Sequence, residues 1–361
     1  MVISRISGLK IEGISAVVPS KEIDNLRFAK DLFGVEEDSQ QSRSVESLIR
    51  SIGIEKRRIC NGNETSLDLS LRAAKELLKS GNFRNEDFGG IVFVTQSPDD
   101  LCPNNASYMQ YLLGFPEFTA VIDVNLACPG YVYGLWIAGL MAGNLQKKIL
   151  LLDAETNSYF NSPYDKTTAP LFGDAGTATI IAPNSEGPEW RFTFPTDGSK
   201  RDVLLVPGFG FREKPSPEKL EYISYPDGSR RRRFDSFMDG QAVFSYVTQR
   251  VSKYMKQFMK ELDTTPANFD YLMLHQANAF MIKMLATSLK FPTSKMPLSL
   301  QKYGNTSSAS IPLNIVSEMS KVVSQKNSRL LMSAFGGGLV TGIADLDIGP
   351  CVCTEVIEFD S

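Results

Sequence analysis

The sequence predicts an α/β protein built as two comparable halves, and three observations carry that reading. The chain has 361 residues, which at roughly 150 residues per domain suits two domains or two halves of one layered body. Gly89 to Thr95 and Lys148 to Ala154 are short, nearly continuous apolar runs of the kind found in strands buried on both faces. Around them, apolar residues recur at helical spacing, so strands and helices alternate along the chain.

Taken in order, Leu9 to Val18 reads as a strand and Ser66 to Leu78 as an amphipathic helix, followed by the 89–95 strand. Ala120 to Leu126 is a further strand-like run. Tyr131 to Gly143 is the longest apolar stretch, too short to span a bilayer and therefore expected as a buried helix. After the 148–154 strand, the polar stretch Pro183 to Pro188 marks the boundary between halves 1–184 and 185–361. Gly208 to Arg233 carries Pro, Gly and charged residues and reads as a long surface excursion. Ala242 to Leu262 is expected as a long helix, with Tyr271 to Leu274 and Leu330 to Phe335 as strands. No short-period repeat points to a solenoid.

Charge and cysteine content narrow the function. A formal net charge of −3 leaves no global basic field for nucleic acid or an anionic membrane. Five Cys, an odd number without framework spacing, imply free thiols in a reducing compartment. Met1 to Gly13 lacks the succession of a signal peptide, so a cytoplasmic protein is expected.

Three positions invite chemistry. Cys128 ends the 120–126 run and precedes Pro129, Gly130 and the apolar helix, and proline suits the first helical position. Unpaired N–H groups and the macrodipole there favour a thiolate; a buried structural Cys suits the same local sequence. The single histidine, His275, stands at the end of the 271–274 strand in LHQAN, where active sites of α/β proteins gather. Asn305 stands in YGNTSSAS, where Gly304 permits an unusual turn and the Ser/Thr cluster can cap a helix. Simple turn chemistry is the alternative for Asn305 taken alone.

Together these pieces resemble the ketoacyl synthase III branch of the thiolase-fold condensing enzymes. The resemblance runs in order through GIEKRRI (53–59), VTQSPDDLCPNNA (94–106), LACPGYVYG (126–134), the 155–158 stretch, LFGDAGTA (171–178), MDGQAVF (238–244), HQAN (275–278), YGNTSSASIPL (303–313) and FGGGL (335–339). It implies a five-layered αβαβα thiolase-like fold of two similar halves, normally a homodimer. It also implies a triad of Cys128, His275 and Asn305. The oxyanion hole would be the backbone N–H of Cys128 with that of a glycine in the Gly336 to Gly338 string, Gly337 or Gly338. The expected substrates are thioesters of coenzyme A or of the phosphopantetheine of an acyl carrier protein, with a malonyl thioester as extender. No metal and no tightly held organic cofactor are expected.

The chain departs from the family pattern at three places. Initiation enzymes of this branch usually carry Trp and Arg, which hold the adenine of coenzyme A, where this chain has Ser47 and Ser51. They also carry an Arg that helps dock acyl carrier protein where this chain has Phe280. The dense basic run Arg230, Arg231, Arg232 and Arg233 reads as a solvated loop or as a contact for the donor's phosphates or the carrier's acidic face. Cys351 and Cys353 lack the further ligands of a zinc site, and FGGGL lacks the Gly-Lys-Ser/Thr ending of a phosphate loop. Asp174, after Phe172 and Gly173, is expected to tie backbone donors together beside the site. The alternatives to condensation are a Cys-dependent acyltransferase of secondary metabolism or surface polysaccharide assembly, and a non-catalytic carrier or binding protein.

Overall fold

The two apolar runs expected as central strands lie side by side. In the computed structural model, which describes residues 1–208, 210–214 and 216–359, Phe88–Val94 and Lys148–Glu155 pair in parallel with Val92 opposite Leu151. Each strand buries both faces, and the period of two sends alternate residues to different cores. Val92 and Leu151 join one cluster, Phe93 and Leu152 another. The six-stranded sheet runs Val352–Phe359, Leu9–Pro19, Ala175–Pro183, Lys148–Glu155, Phe88–Val94, Ala120–Val124. A five-stranded sheet runs Ser4–Ile6, Trp190–Thr193, Val340–Ile348, Ser328–Gly336, Tyr271–Leu274.

Five layers follow from where the apolar faces go. The helices Gly130–Leu145 and Ser310–Val323 fill the space between the sheets: Tyr131, Leu135, Ile315 and Val316 share a core with Val92 and Leu151 from one sheet and Met332 and Ala344 from the other. Ser66–Ser80 and Asn105–Leu113 cover the outer face of the first sheet through Leu69, Leu77 and Met109. The first of these starts on a capping box of Thr65 and Asp68. Met255, Phe258, Ile282 and Leu285 cover the outer face of the second sheet. The expected 242–262 helix begins earlier, at Gly240 with Asp239 as its cap, and contains one wider turn at Tyr246–Val251. The fold is the αβαβα thiolase-like arrangement.

The expected boundary at 184/185 falls between Ala175–Pro183 and Trp190–Thr193, which belong to different sheets. The terminal strands cross that line. Ser4–Ile6 pairs with Trp190–Thr193 in the second sheet, and Val352–Phe359 pairs in parallel with Leu9–Pro19 in the first.

Within the 208–233 excursion, Phe209 and Pro215 lie outside the described residues. The excursion is only partly a surface feature. Its short strands Ile223–Ser224 and Arg230–Arg231 pair, and Ser229 and Arg231 are buried, because the Arg230 N–H donates to Tyr164 O and Ser162 Oγ to Arg230 O. No helix among the described residues is long and apolar enough to cross a membrane.

Candidate active site

Cys128 lies in a tight turn immediately before Pro129, the cap of the Gly130–Leu145 helix. The helix presses close at this point because residue 130 is glycine: a Cβ there would fall 2.5 Å from Val94 Cγ1. The C-terminal half meets the nucleophile with bare backbone too, since a Cβ on Gly336 would stand 3.0 Å from Cys128 Cβ and 3.1 Å from its Sγ.

The thiolate expected at this helix start is not the resting state. Burial pushes the Cys128 thiol up to about 12, with the Ser307 hydroxyl acting against it and the Glu155 carboxylate adding to it. The helix mouth has little to oppose burial with: Pro129 offers no N–H, and that of Gly130 is held by Ala127 O at 2.8 Å.

His275 and Asn305 arrive from the second half. The His275 N–H continues the parallel ladder onto Ser333 O at 2.9 Å, which fixes the residue at the sheet's end. Its Nδ1 lies 2.8 Å from Ser310 Oγ. Burial depresses the imidazole to about 3, so the ring is neutral. Asn305 is pinned by its own N–H on Leu171 O at 2.9 Å and by the Gly173 N–H on its carbonyl at 3.0 Å. Its Oδ1 accepts the Ser307 N–H at 2.9 Å, which leaves the amide NH2 as the donating end.

Ser307 is the neighbour common to all three residues. Its Oγ lies 3.6 Å from Cys128 Sγ, its N–H holds Asn305, and its backbone hydrogen-bonds the His275 ring. It does so at φ 51°, in the left-handed region where a non-glycine residue is strained. The structure thus brings Cys128, His275 and Asn305 together around a residue that sequence reasoning assigned only to helix capping.

A cavity of about 60 Å³ opens on Cys128, with Gly337, Phe172, Leu204 and Ser307 among its walls. Gly337 lines it; Gly338, at φ 131°, turns away toward Val340. Gln96, Asn157, Asn161 and Ser236 add a polar side; Gln96 and Asn157 fall within the 94–106 and 155–158 stretches, whereas Asn161 and Ser236 lie in no motif singled out in the sequence. The buried Asn157 Oδ1 has no partner among the described residues. Asp174 does what its position suggested, accepting from Cys60 N at 2.8 Å, Ser158 N at 2.9 Å and Ser158 Oγ at 2.5 Å. No His, Cys, Asp or Glu grouping among the described residues could hold a metal.

The four arginines stand apart from one another in role. Arg231 is buried on Asp165 at 3.1 Å and stacks on Tyr225. Arg232 pairs with Asp235 at 2.7 Å and Arg233 with Glu213. Arg230 lies over the Tyr164 ring at 4.1 Å. Arg231, Arg232 and Arg233 line a cleft of about 450 Å³ that shares Leu205 with the Cys128 cavity. Ser47 and Ser51 are exposed on the Gln40–Ile52 helix, and Phe280 stacks on Phe244 with centroids 5.7 Å apart.

Comparison with known proteins agrees with this geometry. The family described as 3-oxoacyl-[acyl-carrier-protein (ACP)] synthase III matches residues 122–198, and its C-terminal counterpart matches 259–348. The chain is 30% identical to beta-ketoacyl-[acyl-carrier-protein] synthase III of Clostridioides difficile over 92% of its length and 96% of that chain. The Campylobacter curvus protein of the same name is 31% identical over 93% and 96%. The crystal structure of 3-oxoacyl-(acyl-carrier protein) synthase from Burkholderia xenovorans superposes with a TM-score of 0.90 at 30% identity, covering 99% of both chains. With Cys128 contributed by the N-terminal part of the fold and His275 and Asn305 by the C-terminal part, this chain belongs to the beta-ketoacyl-[acyl-carrier-protein] synthase III family.

Proposed function

We propose that Cys128 accepts an acyl group from a thioester and that His275 and Asn305 drive its decarboxylative condensation with a malonyl thioester. The chain is an acyl-transferring condensing enzyme of this family. Cys128 sulfur attacks the thioester carbonyl, the thiol of coenzyme A or phosphopantetheine leaves with the proton, and an acyl-Cys128 remains. A malonyl thioester then enters with its thioester oxygen facing His275 and the Asn305 NH2. As carbon dioxide departs, the electron pair of the broken C–C bond forms an enolate, whose oxygen those two groups stabilise. The enolate carbon attacks the acyl carbonyl; the N–H groups of Cys128 and Gly337 hold the oxyanion until Cys128 thiolate is expelled and reprotonated.

The observation that carries this reading is Ser307, which lines the cavity beside Cys128 and touches all three residues: the Cys128 thiol, the His275 ring and the Asn305 side chain. A neutral imidazole supports it as well, because an uncharged ring does not hold the carboxylate that must leave. The chemistry needs thiol, imidazole and amide alone, with the pantetheine thioesters as substrates and no resident cofactor. Arg230, Arg231, Arg232 and Arg233 are the proposed contact for the donor's phosphates; the last three line the cleft that has Leu205 in common with the cavity.

A homodimer is part of the proposal. Ala120–Val124 pairs on one side only, and Phe118, Val121 and Ile122 stay exposed beside it, an edge that a second copy can cover. Sedimentation at micromolar concentration is expected to give twice the chain mass. The five free thiols suit a cytoplasmic place of work.

Intact-protein mass after brief exposure to acyl-CoA and acyl carrier protein thioesters tests the reaction. An acyl adduct that malonyl thioester discharges with carbon dioxide and a ketoacyl product is expected. An adduct indifferent to every malonyl thioester sinks the condensation step.

A further inference from the structure

Two carboxylates that the reaction above leaves unused stand beneath the nucleophile. Asp153 and Glu155, two apart on the Lys148–Glu155 strand and so on one face, are wholly buried. Both reach one hydroxyl: Ser308 Oγ lies 2.7 Å from Asp153 Oδ1 and 2.7 Å from Glu155 Oε1. A serine hydroxyl has one hydrogen to donate. With both carboxyls ionised, one of these short contacts would hold no hydrogen, and no Lys, Arg or His contributes to either group. Both contacts are hydrogen bonds only when one carboxyl is protonated and donates to Ser308 Oγ while Ser308 donates to the other. The remaining oxygens tell the two apart. Glu155 Oε2 accepts the Gln96 N–H at 3.0 Å, as an ionised carboxylate should. Asp153 Oδ2 has no partner among the described residues, a burial that a neutral acid tolerates far better than a carboxylate.

We propose that Asp153, Ser308 and Glu155 share one proton, with Asp153 neutral and Glu155 ionised, and that this triad positions the turn that holds Cys128. Ser308 directly follows Ser307, and a Cβ on Gly130 would lie 3.1 Å from Ser308 Cβ, so anchoring Ser308 to the strand fixes both sides of the nucleophile. Burial raises both carboxyls, Asp153 well above its ordinary value and Glu155 to about 7. The titratable groups facing them are Cys128 and Tyr131 at the helix start and Asp174 across from Glu155, with Cys351 and Cys353 beyond Tyr131. None is cationic. The functional consequence rests on Cys128 being the nucleophile; the proton count does not.

The test reads charge and proton separately, in the full-length protein. Glu155→Gln removes the one negative charge near Cys128, so the thiol ionises more easily and its alkylation at neutral pH should rise about tenfold. Asp153→Asn replaces a group already neutral and should change that rate by less than about twofold. At a pH well above the Glu155 value of about 7, the infrared carbonyl band of a protonated carboxylic acid should vanish in Asp153→Asn and persist in Glu155→Gln. Equal effects of the two variants on alkylation, or an acid band that survives Asp153→Asn, overturn the proposal. Wild-type protein labelled with carboxyl-13C aspartate gives the answer without a variant: one resonance at the protonated position at neutral pH is expected, and its absence is decisive against it. Neither readout uses turnover, so failure of Cys128 to take an acyl group would sink the condensation reading and leave the triad standing.

Discussion

The cavity around Cys128 and the arginine run 230–233 were both conspicuous in sequence, yet the fold treats them in opposite ways. Around the cavity it brings together residues more than a hundred positions apart and leaves the buried Asn157 Oδ1 without a partner among the described residues. In the arginine run it supplies carboxylates, Asp165, Asp235 and Glu213, and aromatic faces from Tyr164 and Tyr225. A polar residue type indicates capacity; whether that capacity is left for a substrate depends on the partners the fold has already given it. The cavity residues should therefore control chemistry, and the arginines mainly stability.

The sharpest break of that contrast is Cys128→Ala, which should abolish the acyl adduct in intact-protein mass while the fold survives. An adduct in this variant would remove the nucleophile from the cavity. On the other side, Arg231→Ala leaves Asp165 buried without its partner and should cost about 3–5 kcal/mol in denaturant unfolding, with turnover per folded molecule kept. Gly337→Leu has room for its Cβ, whose nearest neighbour would be Leu204 O at 3.5 Å, but fills the cavity and displaces an oxyanion donor. Its melting temperature should stay near wild type while turnover falls roughly 10²–10³-fold; wild-type turnover would take the glycine loop out of the reaction.

Smaller effects refine the picture. Because burial holds the resting thiol near about 12, alkylation of Cys128 should climb roughly tenfold per pH unit through the neutral and mildly alkaline range. A plateau already reached at neutral pH would restore a helix-stabilised thiolate. Smallest of all, Arg233→Ala should lose less than about 1 kcal/mol of stability, Arg232→Ala more because its partner Asp235 is buried, and either should raise the Michaelis constant for the donor about threefold at unchanged turnover. An unchanged Michaelis constant would confine these arginines to structure.

Most elements were legible because burial imposes a period. Lys148 to Ala154 had to be a strand with both faces covered, and the two cores that Leu151 and Leu152 enter account for the unbroken run. Cys128, His275 and Asn305 were legible from the order and spacing of their motifs. Ser307 was not, since nothing in SSAS signals that its first serine takes a left-handed backbone. The acidity of Cys128 was misread for a related reason: the helix dipole is local and visible in sequence, whereas desolvation comes from Gly336 and other distant neighbours. Asn161 and Ser236 reach the cavity from loops without periodicity and Asn157 from the short turn of helix Asn157–Phe160, and the 184/185 boundary gave no hint that Val352–Phe359 crosses back to the first sheet.

That crossing sets a timetable for biosynthesis. Leu9–Pro19 is made long before one of its flanking partners, Val352–Phe359, which follows on the order of tens of seconds later at roughly 5–20 residues per second. Until then the first sheet carries an open edge, and Ser4–Ile6 waits for Trp190–Thr193. The nascent chain therefore still carries this unpaired edge after Cys128 and His275 have both been synthesised, and the arrival of Val352–Phe359 closes the interval of exposure to wrong strand pairing.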